Sequence, residues 1–117
     1  MKRKSTHVRQ SSEHNEQVGF VMWFRLKFPN VLIFAIPNGS QRSKVTGKHL
    51  KDEGVVPGIP DLYIPEWKVW VEMKREYGGT VSAAQEGVIH YLKKIGDTVI
   101  VGYGATDASR KILELRR

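Results

Sequence analysis

Residues 60–74, which read PDLYIPEWKVWVEMK, predict two short strands joined by a tight turn. Residues 61–64 form the first strand, which Asp61 opens, residues 65–68 form the turn, and residues 69–75 form the second strand. Strands joined by a tight turn pair antiparallel. We therefore expect the start of the first strand to lie beside the end of the second.

Helices and further strands are predicted on both sides of this hairpin from apolar periodicity, caps and breakers. In chain order they are a helix over 13–27 capped by Ser11 or Ser12, a buried strand over the apolar run 31–36, a short helix over 44–53 closed by Gly54, a helix capped by Ser82 and running to about residue 95, a strand over 98–102, and a helix over 105–115 with Thr106 as its cap.

The order of these elements predicts an α/β or mixed α+β fold with a sheet of about four strands. The last strand follows a helical crossover, so we expect it to lie parallel to a neighbour. The periodicity of the helix before it places Val88, Tyr91, Leu92 and Ile95 on the core face.

A chain of 117 residues suits one domain, which we assign to residues 13–117. Residues 1–12, MKRKSTHVRQSS, are polar and basic without periodicity and predict a flexible arm. No internal repeat or interdomain linker is present in the sequence.

The charge balance is basic, with 19 Lys and Arg against 12 Asp and Glu and a net charge of +7. Such a surplus favours a polyanionic partner, because neutralising phosphates releases condensed counterions. A charge kept for solubility explains the composition equally well. An anionic membrane surface requires an amphipathic helix with a basic face, and the sequence contains no clean example.

The absence of cysteine excludes disulfides, thiolate zinc sites and cysteine nucleophiles. The basic N-terminus is not followed by an apolar signal core, and no apolar run approaches the ~20 residues that cross a bilayer. We therefore expect a cytoplasmic protein without a membrane partner or a small-molecule cofactor.

Three charged residues of the hairpin predict a catalytic centre. Side chains alternate along a strand, so Glu72 and Lys74 share one face, and antiparallel pairing brings Asp61 beside them. Two adjacent carboxylates favour a cation between them, and oxygen ligands suit Mg²⁺ or Mn²⁺. The backbone carbonyl of Met73 is a further candidate ligand. The alternative is an ordinary solvated strand, on which Glu and Lys often alternate.

These residues resemble the PD-(D/E)xK nuclease signature, and the surrounding segments resemble the VRR-NUC group of that superfamily in its small stand-alone form of phage and bacteria. The resemblance covers about residues 13–113. It rests on Pro37-Asn38-Gly39, Gly54 and Pro57-Gly58-Ile59-Pro60-Asp61-Leu62, Trp70-Val71-Glu72-Met73-Lys74, and Ser82 with Gln85.

The resemblance implies a restriction-endonuclease-like αβββαβ core with a mixed sheet flanked by helices. It also implies divalent-metal cleavage of phosphodiester bonds by homodimers that act on four-way (Holliday) DNA junctions, in the cytoplasm of a bacterial or phage-infected cell.

The same resemblance implies two further site residues. A Glu of the first helix lies near the metal, with Glu13 and Glu16 as candidates. Glu13 is preferred because it shares a helix face with Gln17. The second is Gln85, which would orient a water or a phosphate at the start of the later helix. Otherwise Glu13 and Glu16 are ordinary first-turn acids, and Gln85 is an exposed helix residue.

A second group of residues is predicted to contact DNA. Asn38 lies in a turn whose N–H groups suit a phosphate, and Arg42, Lys44 and Lys48 follow in a basic segment. Arg75 lies on the opposite strand face from Glu72 and is a phosphate contact or a structural residue. A plain turn and a solvated charged face are the alternatives for the first four.

Two other functions fit the same chain. A non-catalytic basic DNA-binding module explains the charge without explaining the convergence of Asp61, Glu72 and Lys74. A flap- or duplex-type nuclease shares the core, although 117 residues leave little room for elements that read bases.

Overall fold

The computed structural model describes residues 9–37 and 44–116, with the side chains of residues 44–46 outside the description. In chain order the elements are α1 (Glu13–Lys27), β1 (Phe34–Ala35), α2 (Lys44–Asp52), β2 (Leu62–Ile64), a 3₁₀ turn (Pro65–Trp67), β3 (Val69–Lys74), α3 (Ala83–Lys94), β4 (Thr98–Tyr103) and α4 (Ala105–Leu115).

The four strands form one mixed sheet in the order β1-β2-β3-β4. The first three are antiparallel neighbours, and β4 lies parallel to β3 along its whole length. The predicted hairpin, the parallel last strand and the α/β class are confirmed. In the hairpin turn, Lys68 adopts the left-handed conformation with φ 54°.

Helix α1 has the predicted bounds because its ends carry the expected signals. The Ser12 hydroxyl accepts a hydrogen bond from the Asn15 N–H at 3.0 Å, which satisfies one of the free donors of the first turn. Pro29 follows the C-cap residue Phe28 and cannot continue the helix.

The core lies between one face of the sheet and the pair α1 and α4. Gly102 allows this approach, because a Cβ there would lie 2.5 Å from the Cβ of Ala108 on α4. Along β3 the inward side chains are Val69, Val71 and Met73. The buried core also contains Phe20 and Phe24 of α1, Ile33, Leu62 and Ile64, Ile100 of β4, and Ala108 and Ile112 of α4.

Helix α3 connects the parallel strands and lies on the other face of the sheet, but it buries less than predicted. Leu92 is 7% exposed, whereas Tyr91 and Ile95 are 61% and 56% exposed. The predicted core face was therefore too wide. An apolar spacing marks candidates for burial, and only the contact with the sheet selects among them.

The predicted buried strand over 31–36 was wrong in extent and in burial. Only Phe34 and Ala35 pair with β2, and both are exposed. The strand lies at the edge of the sheet, and its partner β2 has three residues, which limits the pairing. Ile33 is the residue of this run that enters the core.

The cap of α4 also differs from the prediction. Gly104, rather than Thr106, is the N-cap residue, and no side chain of its own caps the helix. Glu16 of α1 supplies the missing acceptor to the Ala105 N–H at 2.6 Å. In the described part of the chain, none of the helices has the length and apolar character needed to cross a membrane.

Candidate active site

Two buried charges occupy the end of β3. Glu72 is 1% and Lys74 is 7% exposed, and the Lys74 Nζ lies 3.4 Å from Glu72 Oε2. They share the strand face opposite the apolar core, as alternation predicts. Burial of a charge costs several kcal/mol unless it is paired and hydrogen-bonded. Glu72 and Lys74 therefore need hydrogen-bonding partners to offset the free-energy cost of their burial.

Gln85, in the first turn of α3, bonds to both charges. Its Nε2 donates to Glu72 Oε2 at 2.7 Å, and its Oε1 accepts from Lys74 Nζ at 2.9 Å. The same Oε1 accepts from the Ser82 N–H, while the Ser82 hydroxyl accepts from the Gln85 N–H. This capping box fixes Gln85 to the start of α3 and holds Glu72 and Lys74 at defined positions.

Asp61 lies opposite Glu72 in the hairpin. Leu62 pairs with Val71, so one step further the register places Asp61 beside Glu72. The Met73 N–H donates to Asp61 Oδ2 at 2.7 Å. The predicted convergence of Asp61, Glu72 and Lys74 is therefore present in the structure.

The loop that precedes Asp61 packs closely against the start of α3. Gly58 has φ +91°, and a Cβ there would lie 2.6 Å from the Ala84 carbonyl oxygen. Only glycine fits both the left-handed backbone and this close approach. The contact sets the position of Asp61 relative to Gln85.

Burial and the neighbouring Asp61 carboxylate raise the pKa of Glu72 to about 7, although Lys74 acts in the opposite direction. Burial and Asp61 also raise the pKa of Glu13, while Lys74 and Arg75 oppose the rise. Three mutually repelling carboxylates thus share one region with one buried ammonium group. An added cation would relieve this repulsion.

The structure distinguishes the two acids of α1. Glu13 lies close enough to Asp61, Lys74 and Arg75 to interact electrostatically with each. Glu16 instead accepts the hydrogen bond from the Ala105 N–H at the start of α4. Glu13 is therefore the acid of α1 that joins the cluster.

The donors available to a cation are the carboxylates and one backbone carbonyl. The N–H and C=O of a strand residue point to the same side, so the Met73 carbonyl faces the β2 side, where its N–H meets Asp61. Among the described residues, no three His, Cys, Asp or Glu side chains form a closed metal-binding group. Mg²⁺ commonly uses only one or two carboxylates and keeps several waters, so Asp61, Glu72 and the Met73 carbonyl fit its chemistry.

An open cleft of about 800 Å³ leads to these groups. Glu13, Gln17, Asp61 and Gln85 line one part of it, and residues 55–59 form an apolar wall. Lys51 of α2 also lines the cleft, and sequence reasoning did not select it. The sequence marks Lys51 only as one of several bases in this segment. Nothing in the sequence indicates that Lys51, rather than the selected Lys48, lines the cleft.

The predicted DNA contacts are described only in part. Asn38 and Arg42 lie outside the described residues, and Lys44 begins α2 with its side chain outside the description. Lys48 is exposed and forms an ion pair with Asp52 at 3.3 Å. Arg75 is exposed just after β3, and its charge opposes the rise in the pKa of Glu13.

A solved structure described as a VRR_NUC domain protein has the same fold. The two superpose with a TM-score of 0.75 over 92% of this chain and 89% of that chain, at 20% sequence identity. No family model and no curated protein matches the sequence. The predicted VRR-NUC-like, restriction-endonuclease-like fold is confirmed by this likeness.

Proposed function

We propose that this chain is a divalent-metal-dependent endonuclease that hydrolyses phosphodiester bonds in DNA. The observation that carries the proposal is the buried pair Glu72 and Lys74, held by Gln85 beside Asp61 in an open cleft. Charges buried at this cost in a central strand indicate chemistry, because an apolar pair would stabilise the fold at least as well.

Asp61, Glu72 and the Met73 carbonyl would hold Mg²⁺ or Mn²⁺, with Glu13 as a further acid of the same cluster. When bound, such an ion lowers the pKa of a coordinated water and offsets the negative charge that develops on a phosphate. The repulsion among the three carboxylates supports this assignment.

The side chains of the chain have separate tasks in this proposal. The Lys74 ammonium donates hydrogen bonds to the attacking water or to a non-bridging phosphate oxygen, where negative charge increases in the transition state. Gln85 keeps Lys74 and Glu72 in place, so little reorganisation is needed at the moment of reaction. Lys51 and Arg75 would attract the phosphates that flank the scissile bond.

The net charge of +7 favours a nucleic acid substrate. We propose branched DNA, in particular the four-way junction, and a homodimer as the active form. The fold likeness to a VRR_NUC domain protein supports this narrower choice. A two-fold dimer would present two clefts to the two opposed strands of a two-fold symmetric junction.

The decisive test measures cleavage of a four-way junction, a flap and a plain duplex, first by the unmodified chain and then by the Glu72→Gln variant. We expect cleavage of the junction with Mg²⁺ or Mn²⁺, none with EDTA, and none by the variant. Glu114→Gln, which changes an exposed acid on α4, is the matched control and should retain activity. Full cleavage by Glu72→Gln would refute the active site. Metal-independent binding without cleavage by the unmodified chain would favour the non-catalytic module.

A further inference from the structure

The face of α1 that points away from the core is apolar and exposed. Val18, Met22 and Leu26 are 44%, 60% and 82% exposed, and their four-residue spacing aligns them in one row, here called the α1 ridge. The opposite face carries Phe20 and Phe24, which are fully buried. A helix that is apolar on opposite sides is typical of one covered on both.

The ridge continues onto the edge of the sheet. Val18, Met22 and Phe34 line one groove of about 350 Å³ between α1 and β1, together with Arg25. Phe34 is itself 39% exposed. Side chains of these sizes and exposures leave on the order of 400 Å² of apolar surface per chain, which is in the range of patches that bind partners.

No contact among the described residues explains why residue 19, beside the ridge, is glycine. A Cβ there would lie 3.7 Å from the Cβ of Ala105, an ordinary contact, so packing does not require glycine. Glycine inside a helix lowers stability by about 1 kcal/mol relative to alanine. Its missing side chain leaves room for a group that approaches α1 from outside.

We propose that the α1 ridge packs antiparallel against the α1 ridge of a second copy of this chain, around a two-fold axis beside Met22. Val18 and Leu26 lie four residues before and after Met22, so the antiparallel pair sets Val18 against the partner's Leu26 and Met22 against itself. The same register sets the partner's Arg25 over Gly19, where no side chain obstructs it.

The area of the patch supports a second copy as the occupant. Two such patches would bury roughly 800 Å² of apolar surface. A stable interface of about 1,200–1,600 Å², slightly over half of it apolar, needs a similar amount.

The arrangement gives the proposed nuclease two active sites in a defined relation, and this part rests on the proposed function. Glu13 of the cleft lies nine residues before Met22 on the same helix. At 1.5 Å per residue, the two copies of Glu13 would be separated by about 27 Å along the helix axes, one at each end of the helix pair.

The chain contains no cysteine, so single introduced thiols test this register directly. Met22→Cys should form a disulfide-linked dimer under mild oxidation, because residue 22 faces itself across the axis. Val18→Cys and Leu26→Cys should cross-link at least ten-fold faster when mixed than when either is oxidised alone. Tyr91→Cys on α3 is the matched control, since Tyr91 is 61% exposed, and it should stay monomeric.

Sedimentation of the unmodified chain and of Met22→Glu completes the test. We expect a dimer for the first and a monomer for the second, with Tyr91→Glu still dimeric. Equal cross-linking at positions 22 and 91 would overturn the proposal, as would a monomeric unmodified chain. A monomeric Met22→Cys whose thiol reacts faster after removal of residues 1–8 would also overturn it, because the cover would then be intramolecular. None of these readouts uses cleavage, so failure of the interface and failure of the nuclease proposal are distinguishable.

Discussion

Both faces of β3 are buried toward its C-terminal end, and they are chemically opposite. Val69, Val71 and Met73 point into the core and are at most 4% exposed. Glu72 and Lys74, on the other face, are 1% and 7% exposed. Six consecutive residues therefore supply both the centre of the core and the centre of the proposed active site.

The difference separates what stabilises the fold from what performs the chemistry. Burial of apolar side chains contributes about 25 cal/mol per Å², whereas burial of a carboxylate is unfavourable unless its partners compensate. The pKa of Glu72, raised to about 7, shows that burial and Asp61 outweigh the compensation from Lys74. One face of β3 should thus be optimised for stability, and the other should reduce it.

Glu72→Gln should show the largest effect and should change activity and stability in opposite directions. Loss of the carboxylate removes a proposed metal ligand, so cleavage should fall at least about a thousand-fold. The free energy of unfolding at pH 8 should rise by about 1–3 kcal/mol, because an ionised group disfavoured in the fold is gone.

Chemical denaturation without metal measures this stability change, and initial cleavage rates with Mg²⁺ measure the activity. Lower stability in Glu72→Gln would mean that Glu72 is held by its partners as a structural group. The contrast between the two faces would then be mistaken.

Met73→Ala should produce the reverse pattern on the other face. Met73 is fully buried, and truncating a buried methionine to alanine typically lowers stability by about 2–5 kcal/mol. The proposed ligand at this position is a backbone carbonyl, so the folded variant should retain its cleavage rate within about three-fold, since the backbone is unchanged.

Denaturation midpoints and rates measured well below the melting temperature test this. Met73→Leu, which nearly conserves volume, serves as the control and should lose less than about 1.5 kcal/mol. A large loss of activity in a folded Met73→Ala protein would indicate that the side chain itself has a role in the site.

The comparison also shows which features the sequence predicts well. Local rules placed both faces of β3 correctly, because alternation and the Pro65 turn fix side-chain direction without distant contacts. Helix α1 was predicted with its correct bounds for the same reason, since Ser12 and Pro29 lie next to its ends. Asp61, Glu72 and Lys74 were brought together by the register of one hairpin.

Features that depend on distant segments were predicted less well. The spacing of α3 marked Tyr91 and Ile95 as core, but the position of α3 on the sheet leaves both exposed. The role of Glu16 at the start of α4 joins residues 89 positions apart, and no local pattern signals it. No local sequence pattern indicates that the Gln85 side chain, while it completes the capping box, also bonds to Glu72 and Lys74.

Gln85→Ala should have a smaller effect on both activity and stability. Gln85 connects α3 to the face of β3 that carries Glu72 and Lys74, here called the active face. Its loss frees Glu72 and Lys74 to move, and loss of such a supporting partner typically lowers activity by about 10- to 100-fold. It also removes half of the capping box, at a cost of roughly 1 kcal/mol.

Ser82→Ala separates the two effects, since it removes the cap but leaves the bonds from Gln85 to Glu72 and Lys74 possible. It should lose similar stability and little activity. Equal loss of activity in the two variants would show that Gln85 acts only through the helix cap.

The stability of the metal-free protein should also depend on pH. The pKa of Glu72 is about 7 in the folded chain, against 4.5 for an unperturbed glutamate. Between these values the folded chain keeps a proton that the unfolded chain has lost, so the free energy of unfolding should fall as the pH rises. The contribution of this one group is complete below pH 4.5, is lost as the pH passes 7, and changes by at most about 1.4 kcal/mol per pH unit. Urea denaturation from pH 4.5 to 8 in EDTA should show the decline in the unmodified chain and a shallower one in Glu72→Gln, where the raised pKa of Glu13 remains. Identical profiles would mean that Glu72 is already ionised throughout this range, and the active face of β3 would then not destabilise the fold.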